Sequence, residues 1–332
     1  MTVLIITHSD DNESVELVAE SIRKRGGSSF RFDTDNFPTE VQLVARYGET
    51  PEQLSLAAGG RTLDLRDVSA VWHRRLNVGG KLPDAMDRQM RHAALGESRA
   101  TVMGMLACLD AFRMDAEPLI RRAENKQLQI QIARASGLDT PRTLTTNDPE
   151  AVRAFARTCE GGMVTKMLSS FAVYEGDAEK VVFTNPVTDE DLNDLDGLRL
   201  CPMTFQERVA KRLELRVTIV GERVLAAAID SQAASPRAAH DWRRDGARLV
   251  DAWQPYTLPP EVEEKLLRLM DYFGLNYGAA DLVVTPEGRH VFLEVNPAGE
   301  FFWLERQPGL PISEAIADVL LGHSKRRGKG KG

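Results

Sequence analysis

Several familiar signatures are missing from this 332-residue sequence. There is no Gly-x-x-x-x-Gly-Lys-Ser/Thr loop and no Gly-x-Gly-x-x-Gly fingerprint, so any bound nucleotide is held by another architecture. Cysteine is scarce: Cys108, Cys159 and Cys201 are widely spaced and odd in number, which gives no zinc pattern and fits reduced thiols in a cytosolic protein. No apolar run approaches the length that spans a membrane. The N-terminus has no basic lead-in and meets Asp10 and Asp11 at once, so it reads as a first buried strand, not a signal peptide. A basic excess is also lacking; the net charge of −7 argues against nucleic acid as the main partner. No internal repeat is visible. Together these absences predict a cytoplasmic, soluble, acidic protein.

What is present is ordinary for a globular chain, 42% hydrophobic and 27% charged, with length for two or three domains. Residues 3–7 predict a buried strand. Val15, Val18, Ala19 and Ile22 then recur at helical spacing up to Gly26-Gly27, and a strand through Phe30 and Phe32 completes a βαβ unit of a parallel sheet. Runs 41–47 and 61–65 suggest a hairpin at the sheet edge. Strand 70–72 delivers His73, Arg74 and Arg75. Residues 84–115 have a helical pattern, with Leu95, Val102, Leu106 and Leu109 as candidate buried positions, and the first domain ends at residue 117. Beyond it come a helix using Leu128, Ile132 and Ala135, a strand at 140–144, and a helix with Asp148 as N-cap and Pro149 at the first position. Strands follow at 163–167, 181–184, 204–209, 215–220 and 224–229, and helices at 261–273 and 312–321. The Gly- and Lys-rich stretch from residue 323 to 332 is expected to be a disordered basic tail.

The chemistry concentrates in a predicted hairpin, residues 277–284 and 290–297. Asp281 lies in its first strand; Glu294 and Asn296, two apart in the second, face one side. Two carboxylates and an amide oxygen suit Mg2+, although a hairpin with a solvated polar face is the alternative. Arg74 and Arg75, placed beyond the end of a strand, either grip a carboxylate or phosphate or form a solvated basic turn. Lys126 opens a helix and Lys166 sits in an apolar strand; each is a phosphate clamp or a surface lysine. The backbone along Glu207, Arg208 and Val209 can pair with an adenine edge, and Glu214 can accept from ribose hydroxyls. Arg216 shares a strand face with Glu214 and would stabilise charge on a transferred phosphoryl group. The other reading of Glu207, Glu214 and Arg216 is a cross-strand ion-pair ladder.

In order and spacing, Lys126, Lys166, Phe205-Gln206-Glu207-Arg208-Val209, Glu214-Leu215-Arg216, Asp281 and Glu294-Val295-Asn296-Pro297 resemble the ATP-grasp ligases over roughly residues 118–320. A narrower resemblance is to the graspetide (microviridin-type) peptide ligases. It rests on Val71-Trp72-His73-Arg74-Arg75, Ile229-Asp230-Ser231-Gln232, Ser235-Pro236-Arg237, His240-Asp241-Trp242-Arg243-Arg244 and Asn296-Pro297-Ala298-Gly299-Glu300-Phe301. The loop Leu168-Ser169-Ser170-Phe171 departs from the superfamily pattern in having no glycine where many members carry a Gly-rich phosphate lid. The resemblance implies an α/β ATP-grasp fold, with a pre-ATP-grasp domain at 1–117, a central subdomain at 118–200, and a C-terminal subdomain at 201–322 carrying the metal site. It implies an ATP- and Mg2+-dependent enzyme. A Glu or Asp side chain of a ribosomal precursor peptide becomes an acyl phosphate, and a Ser/Thr hydroxyl or Lys amine of the same peptide closes an ester or amide, ester being expected. On this resemblance Lys126 and Lys166 hold phosphates, Glu207 to Val209 the adenine, Glu214 the ribose, and Asp281, Glu294 and Asn296 the metal, with Arg216 catalytic. Arg74, Arg75, Arg237, His240, Arg243 and Arg244 would meet the acidic core peptide, the cluster at 237–244 being otherwise only a mobile basic loop. Asp189, Glu190, Asp191 and Asp194 would receive the leader, or else form only a solvated acidic helix start. A homodimer is implied as well. Addition of free glutamate-type residues to a protein C-terminus is the alternative activity within the superfamily.

Overall fold

The computed structural model describes residues 1–48, 50–168, 172–175, 178–181, 184–234 and 249–328. Val3, Leu4, Ile5 and Ile6 are fully buried, which makes β1 (Thr2–Thr7) a central strand covered on both faces. After α1 (Ser14–Lys24), β2 (Ser28–Asp33) pairs on one side of β1. The chain then builds a separate antiparallel sheet, β3 (Gln42–Arg46), β4 (Gln53–Ala58) and β5 (Arg61–Asp64), and returns as β6 (Val68–His73) on the other side of β1. After α2 (Arg88–Ala107), β7 (Phe112–Met114) completes the parallel order β2-β1-β6-β7. Because the neighbours of β1 lie on opposite sides, the switch point where open α/β sheets have their ligand crevice falls beyond the carboxyl ends of β1 and β6. Two expectations need correction. The edge hairpin is a three-stranded sheet, since β4 supplies the pairing edge between the two recognised runs. The helix expected over 84–115 starts at the Asp87 N-cap, which accepts the Gln89 and Met90 N–H groups, and it gives way to β7.

α3 (Glu117–Ala123) and α4 (Lys126–Ala135) lead into an antiparallel sheet of order β12-β9-β13-β8. Its members are β8 (Thr143–Thr146), β9 (Met163–Lys166), β12 (Asn185–Pro186) and β13 (Met203–Glu207), with β10 (Ala172–Glu175) and β11 (Ala178–Val181) paired apart. α5 (Pro149–Arg157) begins at its Asp148 cap and packs Val152 against Met163 and Phe205. The short α6 (Asp189–Asn193) precedes β13. Since β13 pairs with β8 and β9, the seam to the next sheet falls after Glu207, not at residue 201.

The last sheet is antiparallel, ordered β16-β15-β14-β17-β18. It is built from β14 (Leu213–Val220), β15 (Arg223–Ile229), β16 (Gln254–Tyr256), β17 (Tyr277–Val284) and β18 (His290–Asn296), with α7 (Ser231–Ala234) after β15. Leu215, Val217 and Ile219 face Val262, Leu266, Leu269 and Phe273 of α8 (Pro260–Phe273), which ends at Gly274 with φ +69. The alternate residues Arg216, Thr218 and Val220 point to the other face. There α10 (Ile312–Leu321), which follows the short α9 (Phe302–Arg306), covers the sheet. Ile316, Val319 and Leu320 share one core with Val220 and Tyr277, and with Val15, Val18, Ile22 and Trp72 of the first domain. Each such side chain contributes about 2 kcal/mol on burial. Ser21 Oγ and Ser313 Oγ hydrogen-bond at 3.0 Å in the buried seam, and Arg25 pairs with Asp318 at 2.5 Å. Among the described residues no helix is long and apolar enough to cross a membrane.

A second joint lies at Asp115. Its carboxylate accepts from the Asn276 N–H, the Asn276 side-chain amide and the Tyr277 N–H, each at 2.9 Å. Asn276 also pairs with the backbone of Arg327, whose guanidinium reaches Asp271 at 2.5 Å, while Lys325 pairs with Glu222 at 2.6 Å. Residues 325–327 are therefore docked, although the sequence places them in a disordered tail. Burial pushes the Asp115 carboxyl up to about 6, against the N–H donors that favour its charge. A folded value above the ordinary 3.8 means that the native state holds the proton more tightly. The contribution is complete below the unfolded value and is lost as pH rises through the folded one, a loss of about 3 kcal/mol. The stability of the wild-type protein relative to Asp115→Asn should thus fall between about pH 4 and pH 7 in urea titrations. A difference that stays flat across that range contradicts it.

Candidate active site

Three residues stand in a row across three strands. Arg216 of β14 is opposite Asp281 of β17, and Asp281 is opposite Glu294 of β18. The register shifts between Asp281 and Leu282, so β18 carries a bulge. Phe292 and Val295 point into the α8 core while Glu294 and Asn296 stay on the face of Asp281, a change of alternation that a regular strand could not make. Arg216 is 5% exposed and donates through one guanidinium nitrogen to both Asp281 oxygens, at 2.9 and 3.1 Å. Its other terminal nitrogen donates to the Glu300 carbonyl at 3.1 Å, and its Nε is buried with no hydrogen-bond partner among the described residues. The guanidinium carbon lies 5.8 Å from the Trp303 ring centre. Gly299 makes this approach possible: a Cβ there would lie 2.6 Å from the Arg216 guanidinium and 2.6 Å from Ala279 Cβ. Tyr277 fixes the same loop by donating its hydroxyl to the Gly299 carbonyl at 2.6 Å, and burial pushes that hydroxyl up to about 12.

Lys126 reaches the same face from α4. Its Nζ is 2.9 Å from Glu294 Oε2 and 3.2 Å from Asn296 Oδ1. The helix is held in place one turn later, where the buried Gln129 donates to the Val295 carbonyl at 2.8 Å and accepts the Val295 N–H at 3.0 Å. Among the described residues no three His, Cys, Asp or Glu side chains gather as a metal centre. The candidate set here is Asp281, Glu294 and the amide oxygen of Asn296. The donors are all hard oxygens, and an ammonium already stands between two of them, so the chemistry fits Mg2+.

The remaining predicted residues divide. Glu214 is buried and pairs with Lys211 at 2.7 Å. Lys166 lies in β9 opposite Thr204. The Glu207 carboxylate is engaged at the surface: it accepts from the Arg142 N–H at 3.0 Å and from the Arg142 guanidinium at 2.7 Å. Burial raises the Glu207 carboxyl, but these two bonds hold it below its ordinary value. Arg208 donates to the Gly161 carbonyl at 2.8 Å, and Val209 is half-buried beside it. Asp191 is consumed in a capping box with Thr188, which leaves Asp189, Glu190 and Asp194 as the acidic surface of α6. Arg237, His240, Arg243 and Arg244 lie outside the described residues, as do Ser169, Ser170 and Phe171.

Arg74 and Arg75 sit in the crevice beyond β6, their N–H groups both donating to the Ile6 carbonyl. Arg74 forms an ion pair with Asp11 at 3.0 Å, its Nε–H not aligned on the carboxylate. Burial opposes the charge on Asp11, but Arg74, the Thr7 hydroxyl and Arg75 outweigh it and hold the carboxyl low. Both arginines also contact the Glu300 carboxylate, which Asn12 joins. Asp11, Asn12, Lys211, Gln129 and Arg142 were not singled out from the sequence. The first two had a usable signal, since polar residues directly after β1 occupy the same strand-end position that drew attention to Arg74.

The family description "MvdD pre-ATP grasp domain" matches residues 2–121. Macrocyclase MdnC from Microcystis aeruginosa MRC, solved with precursor peptide MdnA, is 51% identical over 97% of this chain and 100% of that chain, with a TM-score of 0.86. A Chryseobacterium gregarium RiPP-associated ATP-grasp ligase, solved with ADP and a leader and core peptide, is 40% identical over 98% of both chains, with a TM-score of 0.93. Macrocyclase MdnB, also from Microcystis aeruginosa MRC, is 38% identical over 96% of this chain and 99% of that one, with a TM-score of 0.79. Among curated proteins, none matches. On the geometry alone, Gly299→Ala should lower stability by about 1–3 kcal/mol, because the new methyl must displace Arg216 or Ala279. Urea denaturation measures this, and an unchanged midpoint would show that the loop yields freely.

Proposed function

The chain belongs to the RiPP-associated ATP-grasp macrocyclases, and from that premise we propose that it is an ADP-forming ligase that cross-links a ribosomal precursor peptide. Guided by a leader segment, it converts Glu or Asp side chains of the core into acyl phosphates. A Ser/Thr hydroxyl or Lys amine of the same peptide then attacks the acyl carbon, forms the ester or amide and releases inorganic phosphate. The observation that carries this reading is the row Arg216, Asp281 and Glu294, with Lys126 over its outer end. It gathers cationic donors and hard-oxygen acceptors on one face, as transfer of a phosphoryl group to a carboxylate requires.

In this reading Asp281, Glu294 and Asn296 hold Mg2+, which neutralises phosphate charge when bound. Lys126 moves from Glu294 to a phosphate oxygen, and Lys166 holds another. The backbone from Glu207 to Val209 meets the adenine, the Glu207 carboxylate serving to tie that segment to Arg142, and Glu214 accepts from the ribose. Arg216 keeps one nitrogen on Asp281 and turns its unsatisfied donor to the transferring group. Arg74 and Arg75 face the acidic core peptide, joined by Arg237, His240, Arg243 and Arg244, and the acidic surface of α6 faces the leader. We place the enzyme in the cytoplasm, a reading supported by its three free cysteines. We also propose a homodimer, supported by α2, which turns Met90 and Met103 to solvent beside Ala93 and Ala100. Addition of glutamate to a protein C-terminus is not favoured, because the neighbours at high identity are peptide ligases and macrocyclases.

Co-expression with a candidate precursor and mass spectrometry of the peptide tests the proposal, since each ring closed removes one water. Arg216→Ala should lower ring closure about a hundredfold or more, because it removes a charge-stabilising donor. Ring closure at the wild-type rate in that variant removes Arg216 from the mechanism. A wild-type enzyme that releases ADP with free glutamate, and leaves leader-bearing peptides unchanged, refutes the macrocyclase reading.

A further inference from the structure

The crevice beyond β1 and β6 already contains a carboxylate, and it belongs to the protein. Glu300 Oε2 accepts from the Arg74 guanidinium at 2.5 Å and Glu300 Oε1 contacts that of Arg75, while the Asn12 amide adds a further donor. Arg74 has a second partner in Asp11. Among the described residues, two guanidinium groups therefore face two carboxylates here, and Arg74 and Arg75 hold no surplus positive charge for an acidic substrate. Adding a third carboxylate beside Asp11 and Glu300 would bury uncompensated negative charge. One of the two must leave first.

We propose that Glu300 is a built-in placeholder for the acidic side chain of the substrate, and that an incoming Glu or Asp carboxylate exchanges with it on Arg74 and Arg75. The inference rests on the ligase reading above and deepens it, because it names how the acidic acceptor is recognised. Exposure decides which carboxylate moves. The Asp11 side chain is 0% exposed and that of Arg74 is 2%, whereas Glu300 is 25% exposed and Arg75 39%. Asp11 is further bound by the Thr7 hydroxyl at 2.5 Å and the Asn12 N–H at 2.9 Å, so it is a fixed counter-ion. Glu300 is half-buried in a loop, and its carboxylate can swing out while its backbone stays anchored on Arg216.

The exchange is nearly balanced, since the ion pairs lost by Glu300 reform with the substrate and no arginine is left stranded. Burial and the neighbouring Arg74 charge also push the Arg75 guanidinium down, so the pair gains from an anion at all times. A Gln or Asn side chain cannot replace Glu300, which makes the placeholder a filter for acidic residues. The location matches the chemistry. The Glu300 carbonyl accepts from Arg216, so the residue that would give up its place on Arg74 and Arg75 is itself tied through its backbone to the guanidinium that would meet the transferring phosphoryl group.

The test uses the full chain and a probe with one side-chain carboxylate, N-acetylglutamate α-amide, with N-acetylglutamine α-amide as the neutral control, in ligand-observed NMR titrations. Glu300→Gln should bind the acidic probe about tenfold tighter than the wild-type protein, because the competent state no longer has to be opened. The neutral control should gain nothing, and adding Arg75→Gln to Glu300→Gln should cancel the gain. Equal or weaker binding of the acidic probe by Glu300→Gln overturns the proposal. A second readout needs no variant: carbodiimide labelling of Glu300 in the wild-type protein should increase when the acidic probe is added, and unchanged labelling also overturns it. Both readouts report binding without ATP turnover. Failure of ring closure with a precursor would sink the ligase reading separately, and intact ring closure with no exchange would sink only the placeholder.

Discussion

Charges that are buried where two sheets meet must be paired, and this constraint organises the centre of the molecule. Arg74 and Arg216 are each 5% exposed. An unpaired guanidinium at such depth costs several kcal/mol, more than any one loop contributes to stability. Each arginine has therefore drawn in acids from other elements. Asp11 comes from the loop after β1, Asp281 from β17, and Glu300 from the loop after β18. The residue Glu300 serves both arginines, its side chain meeting Arg74 and its carbonyl meeting Arg216. Electrostatic compensation thus fixes the path of the 297–301 loop as firmly as packing does.

The same pairing suits a ligase. Its two substrates, a carboxylate and a nucleoside triphosphate, are both anions, and they must approach while losing water. The site meets this with donors that are already desolvated and already oriented, so little reorganisation is needed when charge moves. Among the described residues, three of its cations each lean on a protein anion. Lys126 rests on Glu294, Arg216 on Asp281 and Arg75 on Glu300. These three pairs let the site receive an anion by local exchange of partners, not by creation of new charge.

Much of the architecture was legible in the sequence, for identifiable reasons. The hairpin of β17 and β18 and the helices α8 and α10 carry strong periodicity and clear end signals, and they lie where the pattern predicts. Asp281, Glu294 and Asn296 stand out in the sequence because polar residues interrupt apolar strands, and Arg216 because it shares a strand face with Glu214. Short or weakly patterned elements escaped. β4 has only small and polar residues between its leucines, and β7 is three residues long within a helical background. The bulge in β18 was invisible, because alternation alone does not reveal an added residue. Partners distant in sequence could not be read either. Nothing near Glu207 announces Arg142, and nothing near Lys126 announces that Gln129 would clasp the Val295 backbone. The docking of residues 325–327 was missed because composition there favours solvent, while the actual contacts are specific pairs with Asn276, Asp271 and Glu222.

The joint between α1 and α10 has a bearing on how a newborn chain fares. Val15, Val18 and Ile22 are covered by Ile316, Val319 and Leu320, which the ribosome adds roughly three hundred residues later. At ordinary synthesis rates that is an interval of roughly fifteen seconds to a minute. Once β7 has been made, the first sheet has its strands in hand but one greasy flank of α1 stays bare until α10 is made. The opening domain is thus a lodger in a core completed by the closing helix, and a truncated transcript would yield a sticky fragment instead of a smaller working module.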